Sequence, residues 1–519
     1  MVNGNKEKTV AFIVAVSVFC IYFFVAMHEL LHASLWFDET IEYYYSKYMF
    51  GTVPGGRDTI NMYERIISTF QPPLYNFVMF IWLQINDSEF WFRLSGVIFG
   101  FFGAIGLSKA IAKITNYKYA MAGVLIYTFS YRIIYYVQEC AEYNLMLCFV
   151  GWLLYYFIWV LDDPSLKNIC LYTLFGILAV YTQYGSAILV MGCSLGIYIY
   201  LIWNKQREAI IKLSKVFFVT VIVAVVPLYY FFLRLQIGGS NDEMIILSMF
   251  DMIVSFIKML NWNLISIKET MIGMMFLGIA TAGFFVISIL LFLKSKSKRH
   301  KVVLLTGILI WLIYYFLVKL GLYRSGYTDE FGNRYGLFFA PYLILMLMVS
   351  IAEVLKYNKN IKEGKIDLKK INSLLAVFCL ISYCFFGWGN LEHNWYKEDI
   401  RGVTEQWYSN EAYKNDTLVY YAAESGFSYY LEKNEKYQEK FKKNIIFQEW
   451  MRGLTELEYR EYFQTIYSEG IPSELYICAA HYQDDLLTML QVFQNEGYII
   501  QDLYNEHGGW LLYLKREYK

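Results

Sequence analysis

The sequence predicts a polytopic α-helical membrane protein of about eleven spans that ends in a small α/β domain. Three observations carry this. Of the 519 residues, 57% are hydrophobic and 19% aromatic, more apolar surface than a soluble chain of this length ordinarily holds. Long uncharged runs recur along residues 1–390, long enough as helices to cross a hydrocarbon core of roughly 30 Å. Residues 391–519 turn polar and break into short alternating and amphipathic segments. Lys+Arg and Asp+Glu both number 45, so no net basic charge points to nucleic acid.

Ala11–Leu31 is the first expected span. Lys6 and Lys8 precede it, and no small-residue cleavage site follows, so it reads as an anchor with a cytoplasmic N-terminus. The loop after it is long, about 32–89. Within that loop Pro73–Ile85 is apolar, but such a stretch reaches only about 20 Å as a helix, so it reads as interfacial or re-entrant. The remaining spans fall near 90–111, 119–137, 141–161, 168–183, 185–203, 215–236, 271–293, 302–320, 335–355 and 371–389. Lys109/Lys113/Lys118, Lys205/Arg207/Lys212/Lys215, Lys294/Lys296/Lys298/Arg299/Lys301 and Lys356/Lys359/Lys362/Lys365/Lys369/Lys370 then all fall on one side, as the positive-inside rule requires. The first loop and the C-terminal domain are expected outside the cell membrane.

In 391–519, Thr417–Tyr421, Leu475–Ala479, Tyr498–Leu503 and Trp510–Leu514 read as strands and Asp484–Asn495 as a helix. About 130 residues suffice for a separate core. Of the eight cysteines only Cys478 lies there, so no disulfide forms within that domain.

Charges near the ends of spans are the candidates for chemistry, since a charge close to hydrocarbon is costly. Asp38 and Glu39 follow the first span. Gln138-Glu139 and Glu142 occupy the turn between the third and fourth spans, with Arg132 seven residues before Glu139. Asp329-Glu330 and Arg334 lie between the ninth and tenth, and Arg93 opens the second. Each taken singly is also a solvated helix end, although Arg132 within a span needs a partner. His28-Glu29-Leu30-Leu31-His32 matches H-E-x-x-H, which on a helix turns two imidazoles to one face for zinc. A third protein ligand in a later motif is missing, so an intramembrane zinc metalloprotease using His28, Glu29 and His32 is the least favoured reading. A transporter or lipid flippase comes between, with no inverted repeat to support it.

Phe37-Asp38-Glu39, then Gln71-Pro72-Pro73-Leu74-Tyr75, then Asp87-Ser88-Glu89-Phe90 and Phe92-Arg93-Leu94-Ser95-Gly96 stand in an order that resembles the GT-C glycosyltransferases of the protein O-mannosyltransferase and aminoarabinose-transferase type. Gln138-Glu139, Tyr181-Thr182-Gln183-Tyr184 and Arg334-Tyr335 with Pro341 fit the same pattern. The resemblance covers about 1–390 and implies inverting transfer of a sugar from a polyprenyl-phosphate donor to an extracytoplasmic glycan, lipid or protein. It implies catalytic roles for Asp38, Glu39 and Glu139, with Asp38 as general base. It implies donor-phosphate contacts from Arg93, Arg334, Arg132 and Gln71. It names no cofactor and leaves room for a divalent metal. Gln71 stands where members often carry His or Lys.

Overall fold

A computed structural model describes residues 2–51, 64, 66–67, 71–237, 248–261, 271–323, 332–358, 368–391, 397–438, 444–448, 453–468, 470–481 and 483–517. The expected acidic turn Asp329-Glu330 lies outside these. The chain forms two compact units. The first comprises Met1–His28, Phe50–Trp82 and Arg93–His393; the second comprises Glu29–Met49, Leu83–Phe92 and Asn394–Lys519. The expected division near residue 390 is thus accompanied by two pieces of the first loop within the second unit.

Among the described residues of the chain, eight helices are long and apolar enough to cross a membrane. A ninth candidate is the pair Tyr117–Phe129 and Tyr131–Gln138, bent by 65° at Ser130. Leu166–Thr182 and Leu374–Gly389 are apolar helical stretches shorter than these. Every expected span therefore coincides with helix, two of them short. Leu74–Ile85 is a helix of 12 residues, consistent with an interfacial or re-entrant segment. Outward-facing side chains on the spans include Phe218, Val223, Ile272 and Ile279, all more than half exposed, as expected of helices whose solvent is hydrocarbon.

Span packing in the first unit depends on small residues. A Cβ at Gly103 would lie 2.7 Å from the Leu147 carbonyl oxygen, one at Gly106 would lie 2.5 Å from the Gly151 carbonyl carbon, and one at Gly151 would strike the Gly103 carbonyl. The helices Glu89–Ile114 and Glu142–Asp162 thus meet backbone to backbone, the approach that small residues permit in lipid. The span Arg207–Gln236 is irregular. Pro227 lacks an amide hydrogen, and π-helical turns flank it at Val221–Val225 and Tyr229–Leu233. The Tyr181 hydroxyl donates to Ala224 O there at 2.7 Å, satisfying a carbonyl beside the break.

The H-E-x-x-H segment is not helical. The first helix ends at Met27, four residues before the expected Leu31, and Glu29 takes φ 54°. A left-handed residue breaks the i, i+4 relation on which a two-histidine zinc face depends. The His28 ring instead lies 4.7 Å from that of Trp388.

The second unit is a three-layer α/β sandwich. Its strands are β1 (Asp416–Val419), β2 (Ile445–Phe447), β3 (Glu474–Ala480), β4 (Tyr498–Glu506) and β5 (Gly509–Arg516), in the order β2-β1-β3-β5-β4. β1 pairs parallel with β2 and β3, while β5 pairs antiparallel with β3 and β4. Alternation along β1 divides the core. Leu418 joins Tyr459 and Phe463 of helix Glu456–Ile466 and Leu486 and Met489 of helix Gln483–Asn495. On the other face Thr417 accepts a hydrogen bond from the buried Trp407 of helix Ile400–Ser409 at 2.9 Å, and the Trp407 ring meets Phe427 of helix Tyr421–Lys433. The four expected strands and the expected helix are present; β2 is additional.

Candidate active site

In the first unit, buried polar groups gather at one end of the spans and ion pairs at the other. At the ion-paired end Asp162 binds Lys113 at 2.7 Å and Arg299 at 2.6 Å, Lys298 donates to Asn204, and His300 pairs with Glu353 at 2.6 Å and approaches Ile114 O at 3.0 Å. Residues of the expected inner loops thus converge on one face.

The opposite end is built around the turn 139–141. Helix Tyr131–Gln138 stops at Glu139, whose backbone is extended, and helix Glu142–Asp162 starts three residues later. Gln138 donates to Ala26 O at 3.0 Å and His28 O at 2.8 Å, so it closes the carbonyl end of the first helix. Asn144 donates to Glu139 O at 2.9 Å, which fixes the turn. Glu139, Arg132 and Glu142 are all buried. The charges of Arg132, Glu139, Arg334 and Glu142 all act on the Tyr136 phenol, and Arg334 acts on Glu142. Arg132 lies 5.1 Å from the Tyr131 ring and 5.3 Å from that of Tyr135. Two acids and two guanidiniums bounded by tyrosine faces make an environment suited to an anionic group with hydroxyls beside it.

Surrounding contacts hold this cluster. The Tyr323 hydroxyl donates to Tyr335 O at 2.9 Å and receives Gln183 at 3.2 Å, tying the segment that carries Arg334 to the end of helix Leu166–Thr182. Tyr184 donates to Gln236, which donates to Gln71 O at 2.6 Å. The Tyr181-Thr182-Gln183-Tyr184 motif is therefore a junction of hydrogen bonds between spans. Arg93 is buried in its helix. Beside these elements lies an apolar crevice of about 510 Å³, lined by Tyr172, Ile177, Val190, Leu195, Phe217 and Leu228 among others.

Asp38 and Glu39 belong to the second unit and open helix Phe37–Lys47. They differ as adjacent residues on a helix must. Glu39 is 0% exposed, lies 3.2 Å from Lys397 Nζ, and accepts from Trp36 N at 3.4 Å. Asp38 is half-buried. Lys397 sits in a short segment with no motif around it, which is why sequence reasoning missed it. The same helix is held by Thr40 against Ser425 at 2.7 Å, and the Leu35 amide before it donates to Tyr430 at 2.7 Å. Asp87 binds Lys433 at 2.6 Å and Lys47 at 3.1 Å. Burial raises its carboxyl, yet the two lysines outweigh that and hold it below the usual carboxylate range. Among the described residues, no group of three His, Cys, Asp or Glu is placed to hold a metal ion.

Two comparisons fit this architecture. The structure of ArnT from Cupriavidus metallidurans bound to undecaprenyl phosphate superposes with a TM-score of 0.56 at 10% identity, over 96% of this chain and 97% of that one. Its apo form gives 0.56 at 11% identity over 98% of each chain. The fold is a GT-C fold. Within it, residues 70–231 match the family model described as dolichyl-phosphate-mannose-protein mannosyltransferase. That stretch carries Gln71, Arg93, Arg132, Glu139 and the Tyr181–Tyr184 junction. No curated protein sequence matches the chain.

Proposed function

We propose that this GT-C protein transfers a sugar from a polyprenyl-phosphate donor to an acceptor hydroxyl on the extracytoplasmic face of the membrane. The observation that carries the reading is the match of residues 70–231 to a mannosyltransferase family, within a fold shared with an enzyme crystallised with undecaprenyl phosphate. The acceptor oxygen attacks the anomeric carbon, the bond from that carbon to the phosphate oxygen breaks, and polyprenyl phosphate leaves. Attack opposite the leaving group inverts the anomeric centre. Asp38, the less buried of the two adjacent acids, takes the acceptor proton. Glu39, committed to Lys397 and to the Trp36 amide, positions the helix that carries Asp38. Arg93 and Arg334 bind the donor phosphate and stabilise its growing charge, with Arg132 and Gln71 as further contacts. Glu139 orients the donor or a divalent metal. The apolar crevice offers the isoprenoid tail a hydrocarbon surface. The one-sided basic loops support a cytoplasmic N-terminus and an extracytoplasmic second unit.

Single-turnover transfer from a labelled polyprenyl-phosphate sugar, measured beside donor binding, tests the reading. Asp38→Asn keeps the shape and removes the base, so turnover should fall on the order of 10²-fold or more while donor binding persists. Near-normal turnover in that variant would remove Asp38 from the mechanism. For topology, a cysteine at Asn410 in a Cys-free variant should label from outside intact cells and one at Lys298 should not. The reverse pattern would invert the orientation.

A further inference from the structure

The parallel strands of the second unit end at one edge, and polar side chains collect there. From β1 the chain moves to β2 on one side, then crosses to β3 on the other. The carboxyl end of β1 is therefore a topological switch point, where open α/β sheets form ligand crevices. Tyr420 and Tyr421 follow β1, Gln448 follows β2, and Asp485 lies in the first turn of the helix after β3. The Tyr420 and Tyr421 hydroxyls donate to Asp485 Oδ2 at 3.1 and 3.3 Å, and Gly453 N donates to Asp485 Oδ1 at 3.2 Å. Their rings lie 4.4 Å apart.

A second observation is independent of that cluster. Gln448 is 1% exposed and pinned by its backbone amide to Val419 O at 2.9 Å. Neither atom of its side-chain amide meets hydrogen-bond geometry with a partner, and the buried Tyr459 hydroxyl, on which Gln448 and Tyr420 both act, meets none either. A buried amide left in this state costs stability unless something else satisfies it.

We infer that this edge is a carbohydrate-binding crevice for a neutral glycan, which is the acceptor if the transferase reading above holds. The amide offers a donor and an acceptor, the phenols offer both, and Asp485 accepts. That set matches the adjacent hydroxyls of a sugar ring. Asp484 and Asp485 already place negative charge at the start of helix Gln483–Asn495, so the site disfavours phosphate and sulfate. The Phe37 ring stacks on His481, just past β3, at 4.9 Å. The helix that begins with Phe37 and Asp38 therefore starts beside the crevice.

The test uses the full chain in nanodiscs with a panel of end-labelled neutral gluco-, galacto- and manno-oligosaccharides and their phosphorylated counterparts. At least one neutral oligosaccharide should bind, and its phosphorylated form at least tenfold more weakly. Gln448→Leu should weaken binding tenfold or more while raising the thermal midpoint, because the uncompensated amide is gone. Asp485→Asn should weaken binding while donor binding stays unchanged. Absence of neutral-glycan binding, equal binding of the phosphorylated form, or unchanged binding in Gln448→Leu would each overturn the inference. Polyprenyl-phosphate binding is measured on the same samples. Its absence with glycan binding intact would sink the transferase reading alone.

Discussion

The two ends of the first unit treat charge in opposite ways. At one end Lys113, Asp162, Arg299, His300 and Glu353 pair directly, several of them partly exposed. At the other, Arg132, Glu139 and Glu142 are buried among tyrosines. Exposed pairs of the first kind contribute about 0–1 kcal/mol each and chiefly mark a side of the membrane. Buried charges of the second kind cost free energy to keep. Charge density is common to both ends; shelter from water is what separates them.

Substitutions can break that contrast, and the largest effect belongs to the sheltered end. Glu139→Gln should lower single-turnover transfer by roughly 10–10²-fold with folding preserved, read by transfer rate beside thermal midpoint. An equal loss in Lys113→Met would erase the distinction between the ends. Arg93→Ala should weaken donor binding and turnover together, since phosphate charge is present before and after reaction; a turnover loss with normal donor affinity would exclude a ground-state phosphate contact. Gln138→Leu, which strips the hydrogen bonds to Ala26 O and His28 O, should cost about 1–3 kcal/mol, measured by denaturation in detergent. The smallest effect is at the ion-paired end: Lys113→Met should cost about 1 kcal/mol or less, and less again at high salt.

One acidic group of the second unit sharpens the same point through pH. Asp87 is held below its ordinary range by Lys433 and Lys47. The unfolded chain binds the proton more readily than the folded one. The stabilisation is thus complete above the unfolded pKa of about 4 and is lost as pH falls through the lower folded value. Wild type should lose stability over that acidic window more steeply than Asp87→Asn. Parallel pH–stability curves would exclude the pair as a contributor.

Much of the fold was legible because hydrocarbon demands long uncharged runs, and these have no competing reading. The 65° bend at Ser130 was not legible, because no Gly or Pro marks it and only packing turns the chain there. The H-E-x-x-H pattern, the least favoured reading, forms no helical two-histidine face because the first helix stops at Met27, a termination carried by Glu29 at positive φ and by no Gly or Pro. In the second unit, alternation revealed β1, β3, β4 and β5, whereas β2 has three residues, too few to alternate visibly. Asp38 and Glu39 stood out as a pair, but their separate environments depend on Lys397, more than 350 positions away. Local spacing cannot encode such a contact.

The hydrogen bonds from Gln138 to the end of the first helix also bear on how the protein is made. The Ala26 carbonyl waits for a partner 112 residues downstream. While the chain is being synthesised, that end of the first span must remain where water or lipid headgroups can serve it. The carbonyl end of the first helix is thus closed by protein only once Gln138 has been made, so the hydrogen bonding of that end depends on chain far beyond the helix itself.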